Sequence, residues 1–237
     1  SLWSSIEKRI FNLYFIMVVD IELPDPTVLI KLHGMFMVIA WILCWSLGAS
    51  VARYFKKTWV TERYFGGEAW FLYHRLYMFF TWLLTCCGFI LIFIDLDGFY
   101  EHTHAIVGII TFVLCFLQPI FGAINPHHKA KKLFRLWHVL SGNVTYVLAI
   151  TNMFLAVGLE SAKLKTSLYG WLGGAVAFNV LIHATFLLLE HLSKKRGASL
   201  DPTKDASFSR WRKVTLSVQL IGLFAFTVVI AIQIWLA

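Results

Sequence analysis

The sequence predicts an all-α polytopic membrane protein, and two observations support this fold class. The 237-residue chain is 59% apolar and only 14% charged, and apolar runs of about 18 residues or more recur along it. Runs of that length cross the hydrocarbon layer of a bilayer as helices. The Lys and Arg residues lie in short patches between the runs, a pattern that indicates membrane topology rather than nucleic-acid binding.

Six apolar spans are predicted in chain order, at residues 27–54, 70–94, 102–124, 134–159, 168–191 and 213–237. Residues 1–26 are predicted to be an extracellular leader or the remnant of a preceding domain, because their apolar stretch at residues 11–19 is too short to span a bilayer. Residues 27–237 are predicted to form the membrane domain. The composition of residues 193–209 predicts a flexible loop between the last two spans.

The charges of the loops predict the orientation of the spans. One set of loops is strongly basic, and its Lys and Arg residues are Arg53, Lys56, Lys57, Arg63, Lys129, Lys131, Lys132, Arg135, Lys194, Lys195, Arg196, Lys204, Arg210, Arg212 and Lys213. The opposite set holds only two basic residues, Lys163 and Lys165. Because cytoplasmic loops carry the excess of Lys and Arg, both termini are predicted to be extracellular or lumenal. The expected location is the plasma membrane or endomembrane vesicles.

Each of the first four spans carries one histidine near an end. Since consecutive helices run in opposite directions, His33 and His104 fall near the outer surface, and His74 and His138 near the inner one. At a rise of about 1.5 Å per residue, the two levels lie about 20–25 Å apart. Histidine within apolar sequence is costly unless it is bound. The quartet therefore predicts two sites, one above the other.

The ligand chemistry of the pairs favours haem over zinc. Zinc normally takes four ligands that include thiolate or carboxylate, and neither pair is accompanied by one. Haem iron accepts two axial imidazoles. We therefore predict a four-helix core that holds two haem groups, each with two histidine ligands. Gly34, Gly108 and Gly142 lie beside three of the ligands and are interpreted as room for the macrocycle, whereas His74 has Met78 at that offset.

Charged residues near the two levels are candidates for contacts to the cofactor and to redox partners. The haem propionates are predicted to meet basic residues, which are Arg75, Lys132 and Arg135 inside and Lys31 outside. An anionic donor is expected at the basic inner surface, at Lys56, Lys57 and Lys129. At the outer surface, an approach for a cation is expected near Asp95, Asp97, Glu101 and His102. His102 also remains an alternative ligand to His104.

The other histidines and the cysteines have structural explanations. His127 and His128 are expected to be solvated, His191 to be interfacial, and His183 to hydrogen-bond inside the bundle. The cysteines all fall within apolar helices, which predicts buried, inert thiols at Cys44, Cys86, Cys87 and Cys115.

Four motifs make the sequence resemble the cytochrome b561 family. They are IKLHGMFMVIAW with His33, FLYHRLYMF with His74, HAIVGIITFVLCFLQPIFG with His104, and LWHVLSGNVTYVLAI with His138. The likeness runs from about Leu29 to the C-terminus. It is nearest to the branch whose core follows a DOMON domain, the ferric-chelate reductase 1 and stromal-cell-derived receptor type.

This resemblance implies a transmembrane oxidoreductase with two b haems. One haem would be ligated by His33 with His104, and the other by His74 with His138. Electrons would pass from cytoplasmic ascorbate to ferric iron or monodehydroascorbate outside. Where ascorbate-using animal members carry an arginine-rich motif, this chain has VARYFKKTW.

Alternative functions are a receptor or scaffold that keeps the fold without redox turnover, and a transporter with histidine proton relays. A relay would need acids within the spans, which hold almost none. Flavin-linked two-haem reductases usually place ligands of opposite haems on one helix, roughly 14 residues apart, and no such histidine spacing occurs here. A homodimer is left open.

Overall fold

A computed structural model describes residues 25–59, 61–96, 102–123, 131–197 and 202–237. Within these ranges, six helices are long and apolar enough to cross a membrane. They are α1 (Val28–Tyr54), α2 (Ala69–Asp95), α3 (Thr103–Ala123), α4 (Lys131–Val157), α5 (Ser167–Lys195) and α6 (Pro202–Trp235). The predicted all-α membrane fold with six spans is confirmed.

The connection before the last helix differs from the prediction. Residues 193–209 were expected to be a flexible loop, but α5 continues to Lys195 and α6 already begins at Pro202. Proline suits the first position of a helix because its fixed φ is preorganised and its missing N–H needs no partner there. The polar composition of this segment therefore belongs mainly to helix ends.

Helix α1 contains one wide turn. Residues Ile39–Cys44 are π-helical, between the α-helical parts Val28–Val38 and Trp45–Tyr54. The backbone N–H of Trp45 donates to the carbonyl of Ala40, five residues earlier. The hydroxyl of Thr81 on α2 also donates to this carbonyl, at 3.3 Å. The turn is thus fixed by a side chain of the neighbouring helix.

The helices pack as three hairpins, α1–α2, α3–α4 and α5–α6, with α1 also in contact with α5 and α6. The share of the apolar stretch that is buried is 56% in α1 but only 11% in α3. A buried polar cluster joins the hairpins at mid-length. Asn179 on α5 donates to Ser46 and to Tyr146, both at 3.3 Å, and accepts a hydrogen bond of 2.9 Å from Gln219 on α6. Such a network within an apolar bundle specifies one arrangement of the helices.

Polar contacts at one end of the bundle connect α6 to the α1–α2 loop. The Nε of Arg212 donates to Thr58 at 2.7 Å, and Lys213 pairs with Glu62 at 3.3 Å. The same loop holds a small antiparallel hairpin of β1 (Arg63–Tyr64) and β2 (Gly67–Glu68), which the sequence analysis did not foresee.

Contacts at the other end connect α1 to its neighbours. Thr27 caps α1 by accepting a hydrogen bond from the backbone of Ile30, and its hydroxyl donates to Asp95 at the end of α2. The ammonium of Lys31 donates to the Trp235 carbonyl, 3.1 Å away, at the end of α6. Both ends of α1 are therefore held by other helices.

We expect Gly222→Ala to destabilise the α5–α6 contact. A Cβ at this position would overlap the ring of Phe178, so we expect a loss of about 1–3 kcal/mol from overpacking. The matched control is Gly173→Ala, where the added Cβ meets nothing within 4 Å and helix propensity favours alanine by about 1 kcal/mol. Thermal unfolding in detergent tests the pair. Equal unfolding temperatures of the two variants would contradict this packing.

Candidate functional site

The structure brings the four predicted histidines together as two pairs. The ring centres of His33 on α1 and His104 on α3 lie 6.4 Å apart, with their planes at 82°. The ring centres of His74 on α2 and His138 on α4 lie 6.4 Å apart, with their planes at 90°. The two pairs therefore share one geometry at opposite ends of the same four helices.

Three of these imidazoles, those of His33, His74 and His104, have their Nδ1 on a main-chain carbonyl of the partner helix in their hairpin. His33 bonds Gly88 at 2.8 Å, His74 bonds Gly48 at 3.0 Å, and His104 bonds Asn152 at 3.0 Å. His138 bonds the backbone of Gln118. A carbonyl can only accept, so the Nδ1 of His33, His74 and His104 must carry the proton. Each Nε2 then keeps its lone pair for a ligand.

The geometry of the pairs fits axial ligation of one iron by two imidazoles. A metal–imidazole bond is about 2.0 Å long and the ring centre lies about 1.2 Å behind the nitrogen, so two rings on opposite sides of a metal lie about 6.4 Å apart. The observed separation of both pairs agrees with this value. In the described ranges, no group of three or more His, Cys, Asp or Glu side chains could hold a metal ion alone. The donor set suits haem rather than zinc.

The glycines near the paired histidines lie close to side chains of neighbouring helices. A Cβ on Gly34 would lie 3.3 Å from the side chain of Ile234 on α6. A Cβ on Gly108 would lie 3.1 Å from the Asn152 amide, and one on Gly142 would lie 3.4 Å from the Gln118 amide. The interpretation of these three glycines as room for a macrocycle stays a prediction. They admit side chains of neighbouring helices.

The two adjacent lysines after α1 face different neighbours. The ammonium of Lys56 lies 4.6 Å from the ring centre of Trp70, and its charge interacts with those of Arg135 and His74. Lys57 instead interacts with Glu190 on α5. Burial, and next the charge of Arg135, lower the pKa of Lys56, while Glu68 opposes the shift. The loop thus directs one cation towards the His74–His138 pair and the other away from it.

The other predicted contact residues are less closely grouped. Arg75 is exposed with its guanidinium 5.7 Å from the ring centre of Phe71, and Lys132 is exposed on the first turn of α4. Lys31 is engaged by the Trp235 carbonyl, so the structure does not bring its cation to the His33–His104 pair. Lys129, Asp97 and Glu101 lie outside the described residues.

Two further histidines are placed by their contacts. His102 is exposed just before α3 and interacts electrostatically with His104, but His104 is the residue that faces His33. His183 hydrogen-bonds the hydroxyl of Tyr54 at 3.2 Å, which confirms the expected bond inside the bundle.

The residues that sequence reasoning missed are those that supply the carbonyls, namely Gly48, Gly88, Gln118 and Asn152. A main-chain carbonyl leaves no residue type to recognise. The available signal was spacing, since Gly88, Gln118 and Asn152 each follow the histidine of their own helix by 14 residues.

The chain is similar to a known protein family and to several named proteins. The sequence profile described as eukaryotic cytochrome b561 matches residues 32–165. A Drosophila melanogaster protein named as a ferric-chelate reductase 1 homologue is 36% identical over 235 residues, which cover 88% of this chain and 36% of that protein. Human ferric-chelate reductase 1 is 36% identical over 143 residues, which cover 59% of this chain and 24% of that protein. No solved structure matches the chain.

A plant relative extends the comparison. A cytochrome b561 and DOMON domain-containing protein of Arabidopsis thaliana is 24% identical over 165 residues, covering 68% of this chain and 39% of its own length. The chain thus spans only about a quarter to two fifths of the length of these relatives. Since the profile covers more than half of its residues, the chain belongs to the eukaryotic cytochrome b561 family, whose cofactor is b-type haem.

Proposed function

We propose that the chain transfers electrons across the membrane, with one haem b held by His33 and His104 and a second by His74 and His138. The observation that carries the proposal is the repeated geometry of the pairs, with the same 6.4 Å separation at two levels. Haem iron changes its oxidation state by one electron, so the reaction needs no nucleophile or proton-transfer acid from the protein.

The protein's contribution at each level is to orient the ligands. Main-chain carbonyls accept hydrogen bonds of 2.8–3.0 Å from the Nδ1 atoms of His33, His74 and His104 and so orient these rings. His138 interacts with the backbone of Gln118. A bond from Nδ1–H to an acceptor fixes the tautomer and makes Nε2 a more basic ligand. It also satisfies the polar atom that an apolar bundle would otherwise leave unpaired.

The distribution of charge supports a cytoplasmic location for the His74–His138 end. Basic residues dominate the loops at this end, where Lys213 pairs with Glu62 and Arg212 contacts Thr58. The His33–His104 end has fewer cations, and the ammonium of Lys163 is paired with Asp25 at 3.0 Å. By the positive-inside rule, both termini are then extracellular or lumenal.

The donor in this proposal is ascorbate or a similar small anion, which binds beside His74. Lys56 and Arg135 are two cations held close enough to lower the pKa of Lys56. An anion between them relieves their repulsion and gains charge-assisted hydrogen bonds. Trp70 and Glu68, hydrogen-bonded to each other at 2.9 Å, form the other side of this surface.

The acceptor in this proposal is ferric iron or monodehydroascorbate at the opposite end. His102 is exposed two residues before His104 and interacts with it electrostatically. Asp95 lies at the same end, where it accepts a hydrogen bond from Thr27. An imidazole and a carboxylate are suitable contacts for a ferric chelate.

The first test is the absorbance spectrum of the purified protein. We expect a b-type spectrum, two haems per chain, and reduction of the haem by ascorbate. Correctly folded protein without haem would contradict the proposal, and one haem per chain would contradict the assignment of two sites.

We expect His138→Ala to remove one haem and leave the other. The variant deletes a ligand of one pair, whereas the hydrogen bonds of His33 and His104 involve Gly88 and Asn152 and remain intact. Haem content and the spectrum of the remaining haem measure the effect. His183→Ala is the control because its imidazole bonds Tyr54 and belongs to neither pair. Retention of two haems in His138→Ala would refute the pairing.

We expect Lys56→Gln to lower the rate of haem reduction by ascorbate about tenfold, which is the effect of losing one charge-assisted hydrogen bond. Lys57→Gln removes the same charge from the neighbouring residue, which faces Glu190, and should change the rate little. Because its pKa is lowered, Lys56 loses its charge at a lower pH than a free lysine side chain, so the rate of wild-type haem reduction should fall as pH rises through the alkaline range. Stopped-flow kinetics with ascorbate measure both effects. Equal rates for the two variants would contradict the donor site.

A further inference from the structure

The spacing between each histidine and the carbonyl on its own helix is nearly constant. It is 14 residues from His74 to Gly88, from His104 to Gln118 and from His138 to Asn152, but 15 residues from His33 to Gly48. Fourteen residues of α-helix rise about 21 Å. This spacing must match the distance between the two levels, because each helix gives its histidine to one level and its carbonyl to the other.

The π-helical turn of α1 accounts for the additional residue. Ile39–Cys44 lies between His33 and Gly48, and a π-turn holds about one residue more than an α-turn. Fifteen residues that include this turn therefore reach about as far, and end on the same face, as 14 residues of regular helix. Thr81 stabilises the wide turn by donating to the Ala40 carbonyl.

The close approach of α1 and α2 depends on two glycines. A Cβ on Gly48 would lie 2.7 Å from the terminal methyl of Met78 and 3.0 Å from the Cβ of Tyr77. A Cβ on Gly88 would lie 2.7 Å from the terminal methyl of Met37 and 3.6 Å from Nδ1 of His33. Met37 and Met78 each follow the histidine of their own helix by four residues. The two contacts are thus equivalent and lie at opposite ends of one hairpin.

The α3–α4 hairpin uses the reverse arrangement. Here glycines follow the histidines by four residues, at Gly108 and Gly142. The residues that supply the carbonyls carry the long side chains, and the amides of Asn152 and Gln118 contact these glycines. Each hairpin therefore packs a large residue against a small one at both levels.

We infer that the π-turn of α1 corrects the helical register, and that Gly48 and Gly88 are positioning residues for the histidine of the opposite helix. Gly48 lies on α1, which gives its histidine to the His33–His104 pair, yet it orients His74. Gly88 lies on α2, which gives His74, yet it orients His33. The inference rests on the proposed function, since the orientation matters through the haem that each pair holds.

The decisive experiment deletes one residue from either helix. Leu43 and Leu83 are both partly buried leucines. Each lies five residues before the glycine of its helix whose carbonyl accepts a hydrogen bond from a histidine. Deletion of Leu43 leaves 14 residues between His33 and Gly48, which a regular α-helix accommodates. Deletion of Leu83 leaves 13 residues between His74 and Gly88, which no longer reach both levels.

We expect the Leu43 deletion to keep two haems per chain and to unfold within about 3 °C of wild type. The Leu83 deletion should lose at least one haem and unfold at a clearly lower temperature. Loss of haem or failure to fold after the Leu43 deletion would overturn the inference, as would two haems after the Leu83 deletion. Wild-type protein without haem would instead contradict the proposed function, and the unfolding temperatures would still test the register.

Valine at the two glycines tests the crossed assignment. The branched side chain of valine needs more space than movement of a methionine methyl can provide. Gly48→Val should therefore shift the midpoint potential of the His74–His138 haem or release this haem. Gly88→Val should do the same to the His33–His104 haem. Gly170→Val is the control, since a Cβ there meets nothing within 4 Å. The inference fails if each valine affects the haem whose ligand lies on its own helix, or if the three variants behave alike.

Discussion

The hydrogen bond from the imidazole Nδ1 of His33, His74 and His104 to a neighbouring main-chain carbonyl is the interaction on which the rest of the structure depends. An unpaired polar nitrogen inside an apolar bundle costs several kcal/mol, roughly the cost of a lost buried hydrogen bond. Pairing it with a carbonyl removes that cost without a second polar side chain, because a helical carbonyl keeps a free lone pair. The same bond fixes the tautomer and directs Nε2 towards the opposite hairpin. His33 on α1 bonds Gly88 on α2, and His74 on α2 bonds Gly48 on α1. The same contacts therefore fix both the packing of α1 on α2 and the orientation of the two imidazoles.

The surface charge near the two levels depends on local geometry more than on the number of cations. Lys56 and Lys57 are consecutive and both exposed, so residue type and exposure do not distinguish them. They follow α1 in a loop held by buried Phe55 and Thr58, with Thr58 in turn bonded by Arg212. This anchoring turns Lys56 over Trp70 and Lys57 towards Glu190. The loop therefore brings the charge of Lys56 within electrostatic reach of Arg135, which lowers the pKa of Lys56 after burial does.

Much of the fold could be predicted from the sequence because its signals are side-chain patterns. Apolar length defines the six spans, and the alternation of helix direction places His33 with His104 and His74 with His138. The carbonyls of Gly48 and Gly88 could not be predicted, since main-chain atoms are common to all residues. The π-turn was equally hidden, because one extra residue in an apolar helix changes no hydropathy pattern. The contacts of Gly108 and Gly142 with the Asn152 and Gln118 amides could not be predicted either, because a glycine shows that space is needed, not which group fills it.

Because every level takes two histidines and two carbonyls from four different helices, no single helix defines a site. The relative height of the helices must be held by something other than the ligands. In the α1–α2 hairpin this is the insertion of Met37 and Met78 against glycine, and between hairpins it is the Asn179 cluster. Asn179 reaches Ser46 on α1 and Tyr146 on α4, one helix from each hairpin that carries the paired histidines, and Gln219 fixes Asn179 from α6. Helices α5 and α6 provide no member of either pair, but their buried amides prevent the two hairpins from sliding past each other. A slide of one hairpin by one residue, about 1.5 Å, would leave the histidine hydrogen bonds within each hairpin intact but would offset the two imidazoles of each pair.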